Sequence, residues 1–188
     1  MKKTKTLFLD RDGVINRRPP GDYVQSWSAF HFLPGVLEAI KQFSLLFDRI
    51  IIVTNQQGIG KGMMSTDQLT AIHQQMQQAI ASEGGRIDAI YFCPDLSSKV
   101  GNCRKPNPAM ALQAQQDFPE IDFQQSIMVG DSISDLQFGQ SLGMKTVLVQ
   151  SKADEKTALE LAIAEGLQID LRVDGLPELA EKLKAGWN

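Results

Sequence analysis

The residues best equipped for chemistry are Asp10 and Asp12, separated by a single residue, directly after Thr6-Leu7-Phe8-Leu9 and before Gly13. Two carboxylates crowded at one point repel each other and are costly to hold unless a cation joins them. The short apolar run leading into them reads as a fully buried strand of a parallel sheet. Open α/β sheets place their ligands at the ends of such strands. The pair therefore predicts the start of a metal-dependent site. Thr54 and Asn55 end a second apolar run, Asp131 follows another, and Arg104 and Lys105 lie in a loop. Each has an ordinary alternative, because Asp and Asn are common in turns, Thr caps helices and loop cations are solvated. Right-handed crossovers, however, bring all these strand ends to one side of a sheet, where their chemistry is complementary.

The elements that must position them alternate throughout. Strands are expected at Thr6 to Leu9, Ile50 to Val53, Ala89 to Phe92, Ser126 to Val129 and Thr146 to Val149, with a short edge strand at Asp170 to Val173. Pro34-Gly35 opens a helix carrying Val36, Ala39, Ile40, Phe43 and Phe47 at helical spacing. Gln56 to Gly62 reads as a glycine-rich loop, and Ser65 with Gln68 as a capping box for a helix with Leu69, Ile72, Met76 and Ile80 on one face. Asn107-Pro108 starts another helix, Gly130-Asp131 leads into one that stops near Gly143, and others run from about Glu155 to Glu165 and through Leu176, Leu179 and Leu183. Tyr23, Trp27, Phe30 and Phe32 fold the long loop after Asn16 back onto the body. Strand and helix in strict alternation predict a doubly wound, Rossmann-like α/β fold, a parallel sheet of about five or six strands with helices on both faces. Residues 1–188 are expected to form a single domain.

Bulk properties narrow the function classes. The chain has 188 residues, 43% hydrophobic and 22% charged, with a net charge of −3. That balance does not predict a nucleic-acid partner or an anionic membrane surface. The basic start, Met1-Lys2-Lys3-Thr4-Lys5, is followed by too short an apolar stretch for a signal core, and no run approaches a membrane span. Two cysteines, Cys93 and Cys103, do not make a disulfide framework, so a reducing cytoplasm is expected.

Four segments in order, Asp10-Arg11-Asp12-Gly13-Val14-Ile15-Asn16, Val53-Thr54-Asn55-Gln56, Cys103-Arg104-Lys105-Pro106 and Val129-Gly130-Asp131-Ser132-Ile133-Ser134-Asp135, resemble the haloacid dehalogenase superfamily. Within it, the chain is similar to the branch of D,D-heptose 1,7-bisphosphate and histidinol-phosphate phosphatases. The likeness runs from about Leu7 to Val149. It implies Asp10 as the nucleophile that forms an aspartyl-phosphate, and Asp12 as acid for the leaving alcohol, then base for water. It implies Mg²⁺ held by the carboxylates of Asp10 and Asp131 and the backbone carbonyl of Asp12. Thr54 and the backbone N–H of Asn55 would hold phosphate oxygens, and Lys105 would neutralise charge on Asp10 and the phosphoryl group. Asp135, one turn after Asp131, would orient a metal-bound water or Lys105 from behind; a plain exposed acid in a first helical turn is the alternative.

The chain also departs from that branch. Where many members carry Cys-x-His and Cys-x-Cys around a zinc-stabilised loop, this one reads Cys93-Pro94-Asp95 and Asn102-Cys103 across a shortened gap. Two thiolates and one carboxylate make a poor structural zinc site, so zinc is not expected and the two cysteines should pack near each other as small apolar side chains, a regulatory disulfide being the alternative that nothing in the sequence supports. Neither interval between motifs has room for a folded cap. An open site would leave specificity to loops 16–27, 58–64 and 96–104, with Arg17, Arg18 and Arg104 as candidates to grip a second polar group. For Arg17 and Arg18 the solvated reading is favoured, for Arg104 the functional one.

The expected activity is Mg²⁺-dependent phosphomonoester hydrolysis on a small phosphorylated sugar of the heptose-bisphosphate type, the protein acting as a monomer. Histidinol phosphate is the rival substrate. A phospho-accepting receiver module is the rival from another class, but such a module has no alcohol to protonate and so no need of Asp12.

Overall fold

The structure is a computed structural model and describes residues 4–19, 21–150 and 156–187. The basic start at Met1 to Lys3 and the expected helix start at Glu155 lie outside these. Six strands, β1 (Thr6–Leu9), β2 (Arg49–Asn55), β3 (Ala89–Cys93), β4 (Ile127–Gly130), β5 (Lys145–Val149) and β6 (Leu171–Val173), form one parallel sheet in the order β3-β2-β1-β4-β5-β6. The helices are α1 (Val36–Leu46), the single turn α2 (Gln57–Gly60), α3 (Thr66–Ser82), α4 (Ala109–Asp117), α5 (Ile133–Ser141), α6 (Lys156–Ala164) and α7 (Leu176–Lys184).

Side chains alternate across a strand, so each central strand feeds two cores. Leu7, Leu9, Ile50 and Ile52 bury against α1, α3 and α7. Phe8, Ile51, Val53 and Met128 bury on the other face against Met110, Ala111 and Ala114 of α4 and Phe138 of α5. This is the two-faced packing expected of apolar strands that show no polar alternation. Removing the ring of Phe8 would cost about 3–5 kcal/mol, because the sheet and two helices close around it.

The two-fold consequence for the site is positional. β1 lies at the centre of the sheet with β2 on one side and β4 on the other, and the chain order reverses there. Residues just beyond the carboxyl ends of these three strands are thereby neighbours. The glycine-rich segment differs from expectation in one respect: 57–60 is a helical turn, not irregular loop. Gly58 lets that turn pack against the Tyr23 ring, which a Cβ there would meet at 2.9 Å. The capping box of α3 forms as expected, with Ser65 and Gln68 bonding each other's backbone. Between the motifs the described residues hold only loops, these helices and the strands of the sheet itself, with no folded cap.

Candidate active site

Asp10 continues the β1–β4 ladder by one residue, its N–H donating to the Val129 carbonyl at 2.9 Å. That bond fixes the backbone, and the buried carboxylate then faces the cleft. The chain next turns tightly. The Arg11 carbonyl accepts from the N–H groups of Ile15 and Asn16 at 2.8 and 3.1 Å, and Gly13 donates to the Asn16 carbonyl at 2.7 Å. Gly13 sits at φ +92°, and a Cβ on it would lie 2.1 Å from an Asp131 carboxylate oxygen. Only glycine permits both the conformation and the approach.

Lys105 reaches the same point from the loop after β3. Its Nζ donates to Asp10 Oδ1 at 2.8 Å and to the Val53 carbonyl at 2.6 Å, and lies 2.7 Å from Asp135 Oδ1. All three ammonium protons therefore have partners, which is what a cation only 4% exposed requires. Asn55 holds the lysine backbone from both sides, accepting from its N–H at 3.0 Å and donating to its carbonyl at 3.3 Å.

Asp135 is only 1% exposed, which removes the reading of an exposed first-turn acid. One oxygen faces Lys105; the other accepts from Ser132 N–H at 3.1 Å and Ser132 Oγ at 2.6 Å, closing the N-terminal cap of α5. Gly130 makes room for it, since a Cβ there would come within 2.1 Å of the Asp135 side chain.

The carboxylates of Asp10, Asp131 and Asp135 offer oxygens within 4.8 Å of one another. With Asp135 already committed to Lys105 and Ser132, the donors that fit a hard divalent cation are Asp10 and Asp131. Desolvation, opposed by Lys105 but reinforced by Asp135, Asp131 and Asp12, pushes the Asp10 pKa up to about 7. A dication beside it would reverse that push.

Asp12 behaves in the opposite way. Burial favours its neutral form, but the Arg11 charge and hydrogen bonds from Asn16, Arg11 and Gln56 outweigh burial and hold it below the ordinary carboxylate range. Arg11 Nη2 lies 2.9 Å from both oxygens, Asn16 Nδ2 donates to one at 2.9 Å and Gln56 Nε2 to the other at 2.9 Å. Gln56 also donates to Thr54 Oγ1 at 2.9 Å, so one amide ties the acid to the expected phosphate-binding threonine.

These groups line a cleft of about 430 Å³ that includes Asp10, Asp12, Thr54, Asn55, Arg104, Lys105 and Asp135, with Asp131 beside Gly13 at its base. The expected residues are thus brought together. Sequence reasoning undervalued Arg18, whose Nη2 is 3.6 Å from Asp131 Oδ1 and which lines the cleft, whereas Arg17 is exposed outside it. It assigned no role to Arg11, Asn16 or Gln56. Their place inside the motif segments was the available signal. Lys61 was marked only as part of the 58–64 specificity loop; it lines the rim and stacks its Nζ 5.4 Å over Tyr23.

One expectation is corrected. Cys93 and Cys103 are joined as a disulfide, not packed as separate thiols. The parallel register sets Cys93 at the end of β3, and the loop returns through Asp95, which accepts from the Cys103 N–H at 3.1 Å and so brings the second sulfur alongside.

Residues 102–179 match the model of a HAD-hydrolase-like family. Over 136 residues the chain is 44% identical to D-glycero-alpha-D-manno-heptose-1,7-bisphosphate 7-phosphatase of Mycobacterium bovis, covering 72% of each chain. It is 35% identical over 179 residues to the beta-anomer enzyme of Bordetella bronchiseptica, covering 95% of this chain and 97% of that one. This chain belongs to the haloacid dehalogenase-like hydrolases. The crystal structure of D,D-heptose 1,7-bisphosphate phosphatase from B. bronchiseptica, complexed with magnesium and phosphate, superposes with a TM-score of 0.84 at 34% identity, over 97% of this chain and 99% of that one. The protein is accordingly a phosphatase, an enzyme and not a receiver module. No helix among the described residues is long and apolar enough to cross a membrane.

Proposed function

We propose that this enzyme hydrolyses a phosphomonoester of D-glycero-D-manno-heptose 1,7-bisphosphate through an aspartyl-phosphate on Asp10, with Mg²⁺ as cofactor. The observation that carries the reading is the Lys105 ammonium, 2.8 Å from Asp10 and 2.7 Å from Asp135, at the base of a cleft that also takes in Asp12 and Thr54. The relatives' substrate supplies the sugar, and the magnesium-bound neighbour supports the metal.

In the first half-reaction an Asp10 oxygen forms a bond to phosphorus as the bond to the sugar oxygen breaks. Asp12 gives its proton to that oxygen, so the sugar leaves as an alcohol. In the second, Asp12 takes a proton from water, and the hydroxyl oxygen displaces Asp10 from phosphorus. The hydrogen bonds that depress the Asp12 pKa suit its role as base. The phosphate's own negative charge beside it favours the proton needed for the acid role. Lys105, Thr54 Oγ1 and the Asn55 N–H face the phosphoryl oxygens, where charge must be balanced. Mg²⁺, held by Asp10, Asp131 and the Asp12 carbonyl, would supply the remaining positive charge. Asp135 acts through Lys105, fixing its ammonium. Arg104, at the end of the 93–103 loop, would hold the substrate's second phosphate.

We take residues 1–188 as one domain, supported by the single six-stranded sheet. Zinc is left out of the reading, because Cys93, Asp95 and Cys103 fall short of the four Cys or His ligands of a structural zinc site. A monomer acting on a cytoplasmic metabolite fits a site assembled within one chain. The test is kcat/KM with Mg²⁺ present over both anomers of the heptose bisphosphate and histidinol phosphate. One heptose anomer should exceed histidinol phosphate by at least about 100-fold, well inside the roughly 10⁴-fold discrimination open to a site that pairs its substrate's polar groups. The reverse order would overturn the sugar assignment.

A further inference from the structure

Among the described residues Arg11 is one of the largest fully buried side chains, and it enters the reaction outlined above only through Asp12. Its guanidinium spans two partners. Nη2 lies against both oxygens of Asp12 at 2.9 Å, and Nη1 lies 3.1 Å from Nε2 of His73, on the buried face of α3 and 62 residues away. Arginine only donates hydrogen bonds, so Nε2 must accept, and the ring is neutral with its proton on Nδ1. Burial first, and the Arg11 charge second, depress the His73 pKa to about 3, in keeping with that state. Phe92 of β3 packs near the ring, with centroids 6.3 Å apart, and the helix seats it among Leu69, Ile72 and Met76.

We propose that His73 is a positioning residue for proton transfer at Asp12, anchoring one end of the Arg11 guanidinium so that its other end aims the Asp12 carboxylate at the leaving oxygen. A planar fork with one nitrogen pinned has little rotational freedom left, and so sets the direction of the carboxylate against it. Asn16 and Gln56 each grip one oxygen of Asp12, while Arg11 alone touches both. His73 serves the chemistry without touching substrate. The inference rests on Asp12 being the general acid.

That dependence supplies the test. A sugar alkoxide leaves only with a proton, whereas p-nitrophenolate leaves without one. kcat/KM reports phosphoryl transfer to Asp10 and is blind to the later hydrolysis. Four variants, Asp12→Asn, His73→Leu, His73→Asn and His73→Gln, are assayed with heptose bisphosphate and with p-nitrophenyl phosphate, and melted to verify folding. The Gln side chain can put an acceptor where Nε2 stands; Asn is too short. Asp12→Asn should lose about 100-fold or more on the sugar and far less on the nitrophenyl ester. His73→Leu and His73→Asn should show the same split at about 10-fold, and His73→Gln should recover most of it. If Asp12→Asn shows the split and the folded Leu or Asn variant does not, or if Gln fares no better than Asn, His73 has only a structural role and the inference is wrong. The Asn variant stands in should Leu fail to fold. If Asp12→Asn itself shows no split, the acid assignment fails and the inference with it.

Discussion

At the base of the cleft Lys105 is 4% exposed and contacts Asp10, Asp135 and a backbone carbonyl within 2.8 Å. At the rim the Arg18 side chain is 42% exposed and comes no closer than 3.6 Å to Asp131, and Lys61 rests on Tyr23. The first region is over-determined, because a buried charge without its partners costs several kcal/mol. The second is under-determined, because an exposed cation close to water gains little from any single geometry. A site that must hold charge still for one reaction, yet accept a particular sugar, needs both. The rigid part is built from strand ends, the adaptable part from the loops between them.

The comparison can be broken most decisively at Asp10. Asp10→Asn should abolish phosphate release while circular dichroism stays unchanged; turnover in a folded variant would remove the nucleophile assignment. Next in size, Lys105→Ala leaves Asp10 and Asp135 buried without their cation. It should cost about 3–5 kcal/mol in denaturant unfolding as well as activity. A loss below about 1 kcal/mol would mean the base is far less constrained than its geometry implies.

A third prediction concerns pH. The metal-free protein holds a proton on Asp10 up to about pH 7, while the unfolded chain releases it near 3.8. Asp10 therefore costs the metal-free fold stability as pH rises through that window, and the cost is complete above it. Below pH 7 a cation must displace that proton. Mg²⁺ should thus raise the melting temperature more at pH 8 than at pH 6, by the few degrees that correspond to about 1.4 kcal/mol for one pH unit. Equal shifts at both pH values would contradict the charge balance derived for the site.

The smallest effects belong to the rim. Arg18→Ala and Arg104→Ala should each raise KM for the bisphosphate about 10-fold with kcat nearly unchanged, since they lose uniform binding and no transition-state contact. A fall in kcat alone would move them from the rim to the chemistry.

Much of the base was legible in the sequence because its parts obey local rules. Leu7 to Leu9 must be a buried strand, so Asp10 and Asp12 must fall at its end, and the apolar run before Gly130 places Asp131 in the same way. The ordered segments supplied the roles by resemblance. Less legible were residues whose meaning lies in a partner far along the chain. Arg18 read as a solvated loop residue, and only the tertiary structure puts it beside Asp131, 3.6 Å away. Asn55 was expected to offer its N–H to phosphate, while its side chain is spent clasping Lys105, 50 residues away. Cys93 and Cys103 looked like neighbours, and the return of the loop through Asp95 decided that they would bond.

By itself, then, the sequence determined the alternation of strands and helices, the side of the sheet on which the reactive residues gather, and the pair Asp10 and Asp12 at the end of β1. Periodicity and capping act over a few residues, so they can be read without knowing what lies opposite. The tertiary structure alone decided how the two aspartates come to differ. Asp10 is left among carboxylates with one lysine, and its pKa rises to about 7; Asp12 is gripped by Arg11, Asn16 and Gln56, and its pKa falls. Identical side chains two residues apart diverge because electrostatics is summed over space, and space is assigned only when β1, β2, β4 and α3 pack together.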